Sequence, residues 1–168
     1  MWQVCSRADT YARQIADRHY SRQKIGSIQF VPPGRCCCLY AKTSTGQAYW
    51  VTSWPFPEYV KHAWPDYLIC SAFRNEGAGL ASQMIVDAMA LSRGWLGSAG
   101  YKGMVTFVDR KKVKPTMVRS KPLWGLVFRK AGFIEQGETK SGLLALICHI
   151  DAMPMAQGYA QKQPGFFY

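Results

Sequence analysis

Residues able to do chemistry gather in a few short stretches. His19, Tyr20 and Ser21 are consecutive, and an imidazole titrating near neutrality beside a phenol can shuttle a proton. A His-Tyr pair at a helix end also packs and hydrogen-bonds without any catalytic task, and both readings stand. Asp109 follows Gly103-Met104-Val105-Thr106-Phe107-Val108, the clearest strand pattern in the chain. Ligands collect at the ends of strands in open α/β sheets, where a carboxylate can accept a proton or hold a polar edge. With equal weight, Asp109 is an ordinary cap for the following loop.

A third stretch runs from the apolar Leu68-Ile69-Cys70 into Arg74-Asn75-Glu76-Gly77-Ala78-Gly79 and a helical pattern beyond it. It reads as strand, anion-holding turn and helix: Gly77 and Gly79 let the backbone turn tightly, so that amides and a helix N-terminus converge on phosphate. Arg74 can fork two hydrogen bonds to such an anion, Asn75 can both donate and accept, and Ser82 lies on the first helical turn. Glu76 would repel a pyrophosphate unless it points away or pairs with Arg74.

Charge supplies the fourth signal. The 168 residues hold 21 Lys plus Arg against 10 Asp plus Glu, a net +11, which creates a field toward polyanions. Arg110, Lys111, Lys112, Lys114, Arg119, Lys121, Arg129 and Lys130 fall in a span without an acid, and nucleic acid is the expected partner. Nearby in composition, Trp54, Phe56, Tyr59 and Trp64 interleave with Lys61 and His62 in a proline-rich loop. Such rings suit stacking on a flipped base or packing beneath a lid.

The elements that must hold these residues follow from pattern. A helix is expected over 8–20, with Tyr11 and Ile15 on its apolar side, then strands at 35–41 and 48–54 joined by a turn. A helix over 80–94 should bury Leu80, Met84, Ile85, Ala88, Met89 and Leu91. A short helix over 123–130 should stop at Gly132, and a last strand should cover 142–149. The tail from about 151 reads as irregular, its end Phe166-Phe167-Tyr168 suited to packing. Length and a 48% hydrophobic content predict a single domain with a sizeable core. No apolar run approaches the ~20 residues that span a bilayer, and the first residues do not read as a signal peptide, so the cytoplasm is the expected compartment. Cys5, Cys36, Cys37, Cys38, Cys70 and Cys148 lack metal-ligand spacing and read as reduced, mostly buried thiols.

Arg74-x-x-Gly77-x-Gly79 between strand and helix, with the later Phe128-Arg129-Lys130-Ala131-Gly132-Phe133-Ile134, resembles the GNAT superfamily of N-acetyltransferases. That resemblance implies a mixed, mostly antiparallel α/β (α+β) sheet flanked by helices. A narrower resemblance spans most of residues 18–146. His19-Tyr20-Ser21, Phe73-Arg74-Asn75-Glu76, residues 103–109, Ala131-Gly132-Phe133 and Gly137-x-Thr139-Lys140-Ser141-Gly142-Leu143 look like phage proteins of the Mom type. That family has an acetyltransferase-like fold and carbamoylmethylates the exocyclic amine of adenine in DNA, shielding it from restriction.

The resemblance implies catalysis by His19, Tyr20, Ser21 and Asp109, with donor binding by Arg74, Asn75, Gly77, Gly79 and Ser82. It further implies double-stranded DNA as partner, held by the basic span with Trp54 and Phe56. The donor would be acyl or aminoacyl, acetyl-CoA among the candidates. Iron is the metal it allows, with His19 and Asp109 as ligands. A homodimer is one open oligomeric state. Two other readings compete: a CoA-dependent acetyltransferase for a small amine or protein, and a non-catalytic basic DNA-binding protein.

Overall fold

The structure is a computed structural model and describes residues 1–97 and 100–158. Its centre is a seven-stranded sheet built from β1 (Gln3–Cys5), β2 (Arg35–Lys42), β3 (Gln47–Trp54), β4 (Leu68–Glu76), β5 (Gly103–Val108), β8 (Ile134–Glu138) and β9 (Leu144–His149). The spatial order is β1-β2-β3-β4-β5-β9-β8. Neighbours are antiparallel except β4 and β5, which run parallel. Helices α1 (Thr10–Ala16), α2 (Ala81–Leu96) and α3 (Leu126–Lys130) flank it, and β6 (Thr116–Val118) with β7 (Lys121–Leu123) form a separate hairpin. This is the mixed, mostly antiparallel sheet with flanking helices expected from the sequence.

Strand alternation divides the core into two layers. Cys37, Leu39 and Trp50 pack with Ile85 and Met89 of α2, while Cys38, Tyr49 and Val51 pack with Ala12 and Ile15 of α1. Because both faces of β2 and β3 are covered, their sequences are nearly continuous in apolar residues. Burying each of Ile85 and Met89 contributes roughly 1.5–3 kcal/mol. Within the core, Trp50 Nε1 donates to Thr52 Oγ1 at 2.6 Å, and that oxygen lies 2.7 Å from Ser92 Oγ.

Several boundaries differ from expectation. Asp9 caps α1 through Oδ1, which accepts the Tyr11 and Ala12 amides at 3.0 and 2.9 Å. The helix ends at Ala16, so His19 sits in the turns beyond it. Ala12, Ile15 and Ala16 are its buried side, and Tyr11 is 59% exposed. Leu80 is outside the core because it is the N-cap of α2. Arg74, Asn75 and Glu76 belong to β4, not to the turn after it. The helix expected over 123–130 starts at Leu126: residues 121–123 are strand, and Gly125 precedes α3 with φ 69°. A Cβ on Gly125 would meet Leu146 Cδ1 at 2.4 Å. Gly132, at φ 100°, ends α3 as its sequence suggests. The aromatic end, residues 166–168, lies outside the described residues.

Candidate functional site

Strand β4 makes the site by leaving its neighbour. Pairing of β4 with β5 covers Leu68–Cys70 against Met104–Thr106. On its other side β4 shifts register against β3, where Val51 pairs Ala72 and Thr52 pairs Cys70, so Ser71 is an extra residue. A bulge of this kind bends its strand, and β4 turns away while β5 continues beside β9 to Val108. Between the diverging strands lies a cavity of about 400 Å³ whose walls include Phe73 and Arg74 of β4, Phe107 and Val108 of β5, and Val127 and Phe128. A second cavity, of about 560 Å³, shares Ser71 and Ala72 with the first and is lined by Ser21, Gln23, Gln29 and Phe30 among others.

His19 and Tyr20 line the first cavity and Ser21 the second. Their rings stack, with centroids 4.6 Å apart, and His19 meets Tyr49 edge-on at 6.0 Å. His19 Nδ1 accepts the Ser21 backbone amide at 3.2 Å and lies 2.7 Å from Ser21 Oγ. That pattern assigns the remaining proton to Nε2, beside the Phe73 carbonyl. Burial first, and then the Arg74 charge, lower the His19 pKa to about 4. His19 is therefore neutral at pH 7, and a hydroxyl rather than a second base sits against its lone pair.

Tyr20 lines the cavity, and its hydroxyl donates to the Phe107 carbonyl at 3.4 Å. Burial raises its pKa, and the nearby Asp109 carboxylate adds to the rise while the Asp109 amide offsets part of it. Asp109 faces Tyr20, and Oδ1 accepts the Lys111 amide at 3.0 Å. The capping role is thus realised, and Asp109 is not among the residues that line the cavity.

The glycine turn is built differently from a simple anion loop. Glu76 accepts Nε and Nη2 of Arg18 at 2.8 and 2.7 Å and Nε of Arg74 at 2.7 Å. Arg18's hydrogen bonds are the foremost reason that the Glu76 pKa falls to about 2. A second Arg74 nitrogen donates to the Arg18 carbonyl at 3.1 Å, so this guanidinium holds the fold while lining the cavity. Asn75 Nδ2 donates to the Gly79 carbonyl at 2.7 Å and Oδ1 accepts the Ala78 amide at 2.9 Å, closing the turn itself. Gly77 is required at φ 85°, against the hairpin joining β2 and β3, where Thr45 Oγ1 donates to its carbonyl at 2.7 Å. Gly79 keeps a carbonyl contact with Asn75, and Ser82 is half-buried on the first turn of α2, a helix that no side chain caps. What remains for an anion here is backbone and helix end.

Cations and aromatic rings separate by environment. Arg110 pairs with Glu138 and Arg129 with Glu135, whereas the side chains of Lys111, Lys112, Lys114, Arg119 and Lys121 are exposed and make no ion pair among the described residues. Trp54 does not reach the cavity: it packs on the core against Tyr101, at the closed end of the β4–β5 pair. Phe56 is 50% exposed and lines neither cavity. Among the described residues of that loop, His62 and Trp64 pack against Phe107, a cavity-lining ring, at 5.1 and 6.0 Å. Sequence reasoning singled out neither Ser71, Thr106 nor Phe107. A bulge in a strand of otherwise ordinary residues leaves no compositional trace.

Iron does not fit the residues suggested for it. His19 Nδ1 is engaged with Ser21, Asp109 with Lys111, and no group of three or more His, Cys, Asp or Glu side chains that could hold a metal occurs among the described residues. No described helix is long and apolar enough to cross a membrane. Comparison with family models, curated proteins and solved structures returns no match for this chain.

Proposed function

We propose that the chain is a DNA-modifying transferase of the Mom type, joining a donor carbon to the exocyclic amine of adenine. The observation that carries the reading is the cavity between the diverging β4 and β5, with His19 and Tyr20 on its wall and Lys114 and Thr116 on its rim. The space between the strands would hold an extended donor arm, and the uncapped first turn of α2 would take its anionic end. Glu76, neutralised by two arginines, does not oppose an acyl-CoA-like donor. The adjoining cavity suits the base: Gln23 and Gln29 are among its lining residues with the Phe30 ring, and a glutamine amide pairs with the N6/N7 edge of adenine.

In this reading the amine lone pair forms the new C–N bond as the bond from that carbon to the leaving group breaks. The Tyr20 hydroxyl gives its proton to the leaving group and takes the surplus proton from the nitrogen, so no net charge accumulates. A raised phenol pKa keeps that proton in place until the leaving group needs it. Asp109 beside the phenol and the His19–Ser21 pair at the junction of the cavities hold the reacting groups in position.

Mass spectrometry of nucleosides from bacteria expressing the protein tests the proposal. A heavier deoxyadenosine is expected, falling at least ~10-fold with Tyr20→Phe. Unmodified adenine from cells in which the protein is soluble and binds DNA would overturn it in favour of a binding role.

A further inference from the structure

The β6–β7 hairpin is bonded to no other strand, and residues 116–122 are exposed throughout. Its turn consists of Arg119 and Ser120 at φ 49° and 63°. Two successive left-handed residues make the tight hairpin turn that asparagine and glycine normally occupy, and non-glycine residues there carry strain. Arg119 gains nothing from the fold in return: its side chain makes no hydrogen bond or ion pair among the described residues. Met117 is 62% exposed and Val118 38% exposed beside Lys121.

The root of the hairpin is fixed and its position is specific. Trp124 Nε1 donates to the Val113 carbonyl at 2.9 Å across the base, and Lys114 and Thr116 are themselves part of the cavity rim. The tip therefore stands about three strand residues, roughly 10 Å, from the cavity. Two strands about 4.8 Å apart with their side chains match a major groove about 12 Å wide. Lys111, Lys112, Lys114, Arg119 and Lys121, which make no ion pair among the described residues, lie on this hairpin and the loop leading to it, whereas Arg110 and Arg129 are already matched by acids.

We propose that the β6–β7 hairpin is an arm that enters the groove of duplex DNA beside the cavity, with Arg119 and Lys121 on the phosphates and base edges and Met117 against the bases. This rests on the DNA reading above and adds the element that docks the duplex. The strained turn presents Arg119 at the foremost point of the arm, and the fixed root sets the distance between the docked groove and the cavity that receives the base.

The test is binding of a fluorescein-labelled 30-base-pair duplex, followed by anisotropy from 50 to 200 mM salt, for the wild type, the double variant Arg119→Gly/Lys121→Ala, Met117→Ala and the control Lys102→Ala. Lys102 lies at the closed end of the sheet, paired with Asp66. The double variant is expected to bind at least ~10-fold more weakly, with the slope of log affinity against log salt reduced by about 2. Lys102→Ala is expected to stay within twofold. Met117→Ala is expected to weaken binding by the same anisotropy assay while keeping the salt slope of the wild type. Glycine at 119 suits the positive φ, so thermal melting of the double variant stays near that of the wild type. Wild-type binding that the double variant matches within twofold overturns the arm and leaves the DNA reading intact. No wild-type binding at any salt overturns the DNA reading, and the arm with it.

Discussion

Replacing Glu76 with glutamine removes a negative charge from the point where Arg18 and Arg74 meet. The folded-state pKa of Glu76 lies at about 2 against an ordinary 4.5, which sets a ceiling of roughly 3 kcal/mol for the contribution of the ionised group. Arg18 and Arg74 are 45% and 39% exposed at their side chains and Glu76 24%, so solvent screening reduces the expected value to about 1–2 kcal/mol. The sign follows from proton binding. The unfolded state binds the proton first as pH falls, so the contribution is complete above pH 4.5 and is lost as pH falls through about 2. Urea denaturation of wild type and Glu76→Gln across pH 7 to 2 measures this directly. The variant should be less stable by about 1–2 kcal/mol at pH 7, with the gap closing toward pH 2. A gap that is absent at pH 7, or independent of pH, would refute the argument that this carboxylate is held by its two arginines.

Further consequences can be checked singly. His19, lowered to about 4, should titrate far below an ordinary histidine in NMR; it contributes stability above pH 6.5 that is lost as pH falls through 4, and Arg74→Ala should raise its pKa. The Cys36 thiol is lowered to about 6, first by the Cys38 S–H and then by Arg7, whose Nη2 lies 3.1 Å from its sulfur. Iodoacetamide should therefore modify Cys36 before the buried cysteines, with a labelling midpoint that rises in Arg7→Ala. Gly46→Ala would place a Cβ 2.0 Å from the Glu76 carbonyl oxygen, and denaturation should report a loss of about 1–3 kcal/mol. Thr52→Val strips the buried Trp50 N–H of its acceptor, at an expected cost of about 1–3 kcal/mol in the same assay.

What the sequence conveyed depended on whether each signal was local. The apolar runs at 35–41 and 48–54 and the helical spacing of Met84, Ile85, Ala88 and Met89 arise from burial of one element at a time, and these elements stand where their patterns put them. The hairpin β6–β7 was hidden because its turn is Arg-Ser rather than Asn-Gly, and β1 because three residues carry no period. Arg74 and Asn75 have the right chemistry for an anion, yet Glu76 and the Gly79 carbonyl engage them first, a competition set by tertiary geometry. Trp54 stands at the end of β3, where its strand pattern puts it, but its packing on Tyr101 is a tertiary contact that no local pattern announces. The cavity itself depends on the Ser71 bulge, and nothing in Cys70-Ser71-Ala72 distinguishes a bulged strand from a regular one.

The cavity between β4 and β5 is the centre of the account, and filling it is the most direct test. Ala81 is half-buried on the first turn of α2 and lines that cavity; Ala81→Trp places an indole in its space. Purified wild type and variant are compared for duplex binding by anisotropy, and the DNA of cells expressing each is analysed for modified deoxyadenosine. Duplex binding should stay within about threefold of wild type, and the modified nucleoside should be lost. Undiminished modification with the cavity filled would contradict the account.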